Sequence, residues 1–552
     1  GTYTVEINPS GAYSYDGPAK SATVAVGSTV NVDFVVDHHS TTYYVSLDGS
    51  DDNDGLTPET AWYNINAGDR KGIINPGDTV IVMEGHYTGD TAEMSGYYES
   101  RYGYRLIQGA GNKYYPVTYK AQGNVVISNE LGVTAQGMAK AISVSGQYIN
   151  LEGFEITGSE TNQGIYFDYQ GFNSVVKNCY VHDLGPTTAI WPRSAGAYVE
   201  GGMTTPSSNV FENCTFANIG DNAGWSYGVF DMGGFWDAQG GCTVEIHHCT
   251  FYGIGGAALC ARGGMTGDKF YNNTVDACRQ GVAICNGNVS GGSADIQNNI
   301  FSGCSDSDVG AESMGVVVAY NNNMTFNCGH TAAGAIVADP LFVDAANHDY
   351  NLSEGSPAVD AGVDLGYPYK KNAPDLGAYE SEYEAAAQDV DSVADLADLA
   401  DGTLVQTTFD LIAVNSNNAF DDGAVYGETA DRLAGVKFDF SGINQAVAAG
   451  DAITVKGIVK SDADGKYIEV KDVLSQTAGD ELGALGLTNT SLDTNVLVRV
   501  WGKVVSTSGE TVVINNGSGD ITIKGGVSAS EGDFITVTGV ATKTGVRALE
   551  VL

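Results

Sequence analysis

The chain has 552 residues, 73 of them glycine, and carries 67 Asp plus Glu against 26 Lys plus Arg, a net charge of −41. That length exceeds one ordinary hydrophobic core and calls for several units. The charge repels nucleic acid and anionic lipid, and no apolar run of about 18 residues offers a membrane-spanning helix.

Residues 1–40 alternate apolar and polar in GTYTVEIN and again in GSTVNVDFVV, the period of half-buried strands. These phrases resemble the closing strands of a carboxypeptidase-regulatory-like β-sandwich, whose earlier strands have no counterpart here. The expectation is a start made by processing, or a sequence that records only part of a chain. Strands without sandwich partners leave a hydrogen-bonding edge open. That edge is expected to be closed by the chain itself or by another copy through strand addition. The second arrangement is head-to-tail and would propagate into a filament. Further on, DGSDDNDG sets Asp48, Asp51, Asp52 and Asp54 close together, a spacing that suits Ca2+. The Glu that ends an EF-hand loop is missing, and an Asp/Gly turn accounts for the same residues.

From residue 148 onward one phrase recurs: YINLEGFEIT, SVVKNCYVHD, NVFENCTFAN, VEIHHCTFYG, DKFYNNTVDA, ADIQNNIFSG and VAYNNNMTFN. Placing Gly153, Asn178, Asn213, His248, Asn272, Asn298 and Asn321 in one column gives steps of 25, 35, 35, 24, 26 and 23 residues. Repeats of this length signal a solenoid, and the alternation within each phrase is that of a strand. The pattern predicts an all-β chain built on a parallel β-helix, with Asn178, Asn213, Asn272 and Asn298 stacked inside it. Nine cysteines lie between Cys179 and Cys328, so at least one is unpaired. Cys179, Cys214 and Cys249 recur every 35 residues, which predicts a buried ladder of thiols rather than disulfides. His182–Asp183 and His247–His248 fall inside the phrases and read as turn and ladder residues.

The two 35-residue steps exceed their neighbours by about ten residues. Their extra length includes AIWPRSAGAYVEGGMTTPSS and DNAGWSYGVFDMGGFWDAQGG. It brings Trp191, Tyr198, Trp225, Tyr227, Phe230, Phe235 and Trp236 near Asp221, Asp231 and Asp237. Aromatic faces that stack on pyranose rings, with carboxylates for the hydroxyls, are what a glycan cleft needs. Aligning Gly164, Gly196 and Gly228 puts Asp168 and Glu200 at equivalent places on adjacent coils, with Asp231 one place off. Carboxyls one strand spacing apart, about 4.8 Å, suit the pair of a retaining glycosidase. Asp168, Glu200 and Asp231 are therefore the candidate catalytic residues. Trp191, Tyr198, Trp225, Tyr227 and Trp236 are the candidate substrate-stacking ones. Aromatic insertions that pack on one another are the plainer alternative. A lyase would need a basic residue, and Arg193, Arg262, Lys269 and Arg279 follow no lyase spacing.

YYVSLDGSDDNDGLTPETAW followed by PGDTVIVMEGHYTG resembles the opening of right-handed parallel β-helix proteins of the pectate-lyase-like superfamily. ADPLFVDAANHDYNLSEGSPAVDAG, ending in PDLGAYE, resembles a closing segment common in secreted members. The resemblance covers 41–382 and implies the fold. It leaves activity open, since lyases, glycosidases, epimerases, adhesins and inert fibres share it.

Residues 383–402 read as an acidic, Ala-rich connector, partly helical. GDAITVKGIV at 450–459 returns as GDFITVTGVA at 532–541, an offset of 82. The copies resemble a tandem of OB-like barrels, 403–476 and 477–552. Their acidity, and few aromatics beyond Tyr467 and Trp501, argue against a nucleic-acid partner. Two functions follow. One is a secreted or cell-surface structural protein, a filament subunit joined through its N-terminal strands. The other is a carbohydrate-active enzyme or glycan-binding protein working in the cleft of the long coils. The regular coils and accessory barrels favour the first, and no cofactor beyond Ca2+ is expected.

Overall fold

The computed structural model describes residues 2–6, 13–14, 19–33, 37–88, 106–109, 111–129, 140–168, 170–185, 194–200, 207–221, 226–232, 242–262, 266–285, 292–311, 316–385, 387–487 and 495–552. The chain divides into two compact units, Gly1–Glu384 and Ala385–Leu552.

The first unit is the expected parallel β-helix. One coil lays down Ser207–Glu212, Thr215–Ala217 and Ser226–Asp231, and each strand pairs in parallel with its equivalents in the coils before and after. The three stacks are called ladders A, B and C in that order. Alternation sends every second side chain inward, where they stack: Phe216 and Phe251, one coil apart in ladder B, lie 5.0 Å apart with rings nearly parallel.

Between ladders A and B the chain turns on a single left-handed residue. Gly153, Asn178, Asn213, His248, Asn272, Asn298 and Asn322 hold this place, with φ of 81°, 55°, 53°, 54°, 48°, 59° and 55°. Asn recurs because its short polar side chain tolerates that conformation better than other non-glycine residues. The asparagine column therefore differs from expectation in two ways. Asn178 and Asn213 are exposed, and Asn272 and Asn298 are buried under the closing segment rather than inside the coils. The last member is Asn322, since Asn321 ends its strand paired with Gln297.

The inward place belongs to the next residue: Cys179, Cys214 and Cys249, then Asn273, Asn299 and Asn323, all buried. Asn299 Oδ1 accepts from the Asn273 N–H at 2.8 Å, and its Nδ2 donates to the Phe270 carbonyl at 2.7 Å. Cys249 does the same with one atom, its Sγ lying 3.4 Å from both the Cys214 nitrogen and the Phe211 carbonyl oxygen. Thiol and amide thus serve the same buried backbone groups. The seven cysteines whose side chains are described are all free, among them Cys179, Cys214 and Cys249, the three whose 35-residue spacing predicted a ladder of thiols.

Ahead of the coils, Thr2–Val5 pairs antiparallel with Lys20–Thr23 and Tyr13–Ser14 with Asp37–His38, a sandwich fragment. At the other end the closing segment, residues 353–382, folds back across the coils. Val359 and Leu376 pack on Ile300 and Met324, Val363 bonds both ends of the Asn298 amide, and Tyr367 stacks on His247 at 4.5 Å. His248 takes the left-handed turn and His247 ends its strand in ladder A, the turn and ladder places read from the phrase.

The second unit holds two closed five-stranded barrels. The first is formed by Leu404–Thr407 with Leu411–Ala413, Ala424–Glu428, Gly435–Asp439, Ala452–Asp462 and Gly465–Thr477. The second is formed by Val496–Ser508, Thr511–Asn515, Asp520–Lys524, Phe534–Thr542 and Gly545–Val551. In each the strands run 1-2-3-5-4 back to 1, with strands 3 and 5 parallel, the OB order. The connector is short 3-10 helix and strand, and its Val390 and Leu396 lie in the first barrel's core.

Two measurements check this picture. Asn213→Gly is expected to stay within about 0.5 kcal/mol of wild type, because glycine adopts the same turn. Asn299→Leu, which strands two buried backbone groups, should cost about 1–3 kcal/mol in urea unfolding. In the closing segment, burial and then the charge of Asp375 push the Glu380 carboxyl up to about 7. A raised acid contributes stability below its unfolded value and loses it as pH rises through the folded one. Calorimetry should therefore show Glu380→Gln gaining on wild type between about pH 5 and about pH 8.

Candidate functional site

Ladder C carries the residues singled out for chemistry. Gly164, Gly196 and Gly228 stand at its centre because a side chain there has no room. A Cβ on Gly196 would sit 2.5 Å from Phe216 and 2.7 Å from the Gly228 carbonyl oxygen. The register set by these glycines is the expected one: Phe167 pairs with Val199 and Val199 with Asp231, and the Glu200 N–H reaches the Phe167 carbonyl at 2.8 Å. Asp168 and Glu200 are equivalent, and Asp231 falls one place earlier.

The three carboxylates nevertheless have different fates. Asp168 is buried and caps its own turn, accepting from the Gln170 and Gly171 N–H groups at 2.8 and 3.1 Å and from the Ser145 hydroxyl at 2.5 Å. Burial raises its pKa, against those bonds and the nearby charge of Lys140. Asp231 shares its column with the core residues Phe167, Val199 and Ala261, so it points into the interior, fully buried. There it hydrogen-bonds to Asp268, also buried, whose pKa burial and then the Asp231 charge hold well above the carboxylate range. Two such groups share a proton. Glu200 alone is half-exposed, and it accepts the Tyr166 hydroxyl.

Tyr166 leads to a residue the sequence reading passed over. The Lys140 ammonium, on the preceding coil and only 1% exposed, stands 3.3 Å from the centroid of the Tyr166 ring. Burial and then the Glu200 charge drive the Tyr166 pKa upward, so its hydroxyl stays protonated and donating. Lys140 pairs with Gln163 in the same register that aligns the glycines, and extending that register one coil back would have found it.

The expected aromatic platform is different. Tyr198 and Tyr227 are buried, packed with Tyr166 and Phe230 at centroid distances of 5.1–5.4 Å. They support the wall rather than offer a face. Trp191, Trp225, Trp236, Phe235, Asp237 and Arg193 lie outside the described residues. Lys269 and Arg279 form surface pairs with Glu245 and Asp306. In the loop read for Ca2+, Asp51 is taken up by the Tyr63 and Asn64 N–H groups, the Asn64 amide and Arg70. Asp54 accepts from the Leu56 N–H and the Thr60 hydroxyl, while Asp48 and Asp52 are exposed. Among the described residues no three His, Cys, Asp or Glu group as a metal cage.

The strand pairing defines the class: a parallel β-helix followed by two OB-like barrels. No family model matches the chain, and no curated protein does. Solved structures similar to it include the pectate lyase Pel9A, at 19% identity and a TM-score of 0.35, over 62% of this chain and 96% of that one. A rhamnogalacturonan lyase follows at 15% and 0.31, over 55% and 90%. An alginate lyase from a Paenibacillus strain stands at 16% and 0.30, over 50% and 96%. At these values the likeness assigns no residue a role.

The interior carboxyl pair makes a prediction of its own. Asp268 can accept from the Val244 N–H equally well as an asparagine, whose amide would donate to Asp231. The raised pKa means stability is lost as pH rises. Asp268→Asn should therefore gain on wild type in thermal unfolding as pH rises above the ordinary carboxylate range.

Proposed function

We propose that the protein acts on a carbohydrate at the outer face of ladder C, with Glu200 as the residue that meets the ligand. The reading rests on one observation, the cluster of Lys140, Tyr166 and Glu200 drawn from three successive coils. A buried ammonium is costly, and a packing role alone would be filled by an apolar side chain. Here the cation lies under a tyrosine whose hydroxyl serves Glu200, the accessible one of the three candidate carboxylates. Glu200 is the base or nucleophile, and Tyr166 orients it and steadies its charge. Asp168, one strand spacing away, is buried and held by its own turn and by Ser145, so Glu200 is the carboxylate that carries the reading. The net charge of −41 favours a neutral glycan over a polyuronate. Such a substrate goes with an extracellular or surface location.

A second reading, a structural subunit joined through its N-terminal strands, is supported by the sheet of Thr2–Val5 and Lys20–Thr23, where Tyr3 is 59% exposed. One preparation tests both. Release of reducing ends from neutral and uronate glycans should appear on a neutral one. It should vanish in Glu200→Gln and fall by about 100-fold or more in Tyr166→Phe. Turnover unchanged in Glu200→Gln would contradict the first reading. A monomer by light scattering at high concentration would contradict the second.

A further inference from the structure

The outer face of ladder B is covered over only part of its length. From Thr250 onward the closing segment lies on it: the Thr250 hydroxyl meets the Tyr379 hydroxyl at 3.0 Å, and the Ala378 N–H bonds Thr274 at 3.0 Å. Before that edge one outward column stays open, in the order Glu155, Tyr180 and Thr215. Two tyrosines bound the opening. Tyr180 is 37% exposed and Tyr379 is 38% exposed. Thr215, half-buried, forms the floor between them.

Tyr180 is exposed yet fixed. One face of its ring stacks on His182 at 4.0 Å, and its hydroxyl meets that of Tyr252 at 3.2 Å. His182 is itself held between Asp183 at 2.8 Å and Glu155 at 3.1 Å. Tyr252 stacks in turn on His348 at 3.9 Å. A tyrosine that only filled space would be buried, and one merely tolerated at the surface would be free to turn. A rigid exposed ring offers contact area without the entropy cost of ordering it.

We propose that this opening is a second carbohydrate site, separate from Glu200, that holds a neutral glycan across the coils. One sugar ring stacks on Tyr180 and another lies against Tyr379 over Thr215. Tyr180 reaches across the coil of Thr215 to Tyr252, on the coil whose Thr250 holds Tyr379, so both rings border one opening. Glu155 and Asp183 have lone pairs left for sugar hydroxyls, and their charge turns away uronates. The site needs no reacting group. It would keep a polymer on the protein while ladder C works, and it stands whether or not ladder C is catalytic.

The test is calorimetric titration of full-length Glu200→Gln protein with six-residue xylo-, cello- and manno-oligosaccharides. Binding of one of these is expected, weakened about tenfold or more, about 1.4 kcal/mol, by Tyr180→Ala and by Tyr379→Ala. Thr215→Arg, which fills the floor and leaves both tyrosines in place, should remove the binding at this opening and leave that at ladder C. Turnover of a short substrate at ladder C should be unchanged by Tyr180→Ala in the otherwise native chain, which separates failure here from failure of the Glu200 reading. No binding of any of the three sugars, or binding indifferent to all three substitutions, would overturn the proposal.

Discussion

Each time the chain turns from ladder A to ladder B it leaves an N–H and a carbonyl facing the interior, where no water can serve them. The residue after the left-handed turn supplies the missing partner to the coil before it, through the thiols of Cys214 and Cys249 in the middle coils and the amides of Asn273, Asn299 and Asn323 in the later ones. An unpaired buried group costs about 1–3 kcal/mol, so a coil out of register would pay twice. This requirement aligns the coils, and the alignment of ladder C follows from it. Lys140, Tyr166 and Glu200 come from separate coils and meet only because the register holds.

The repeat was legible because one backbone conformation recurs with one inward place behind it. Which residue held which place was harder to read. Asn272–Asn273, Asn298–Asn299 and Asn321–Asn323 are runs of asparagine, and composition does not say which member turns the chain and which looks inward. The cysteines decide it, since Cys214 follows Asn213 and a thiol suits the interior. Lys140 escaped notice because its coil lacks the phrase that marked the others. Asp231 was grouped with Asp168 and Glu200 although one place along a strand reverses the face, which is why it lies inside beside Asp268. The aromatic residues pointed to the right coils, but Tyr198 is spent on Tyr166 and Phe230, and Tyr227 on Phe230. The barrels were legible from a single repeated phrase, and their strand order confirmed it.

The two outer faces differ in kind. Ladder C gathers a cation, a protonated hydroxyl and a carboxylate, which can move protons and hold charge. Ladder B gathers fixed rings and hydroxyl acceptors, which can hold a ligand and do nothing to it. Both suit an uncharged polymer better than an anionic one on a chain with net charge −41.

The most direct measurement is a crystal structure of the Glu200→Gln protein soaked with the neutral oligosaccharide it binds best. The account predicts a sugar residue within hydrogen-bonding distance of position 200, close to the Tyr166 hydroxyl. A fully occupied ligand bound elsewhere, with ladder C bare, would contradict it.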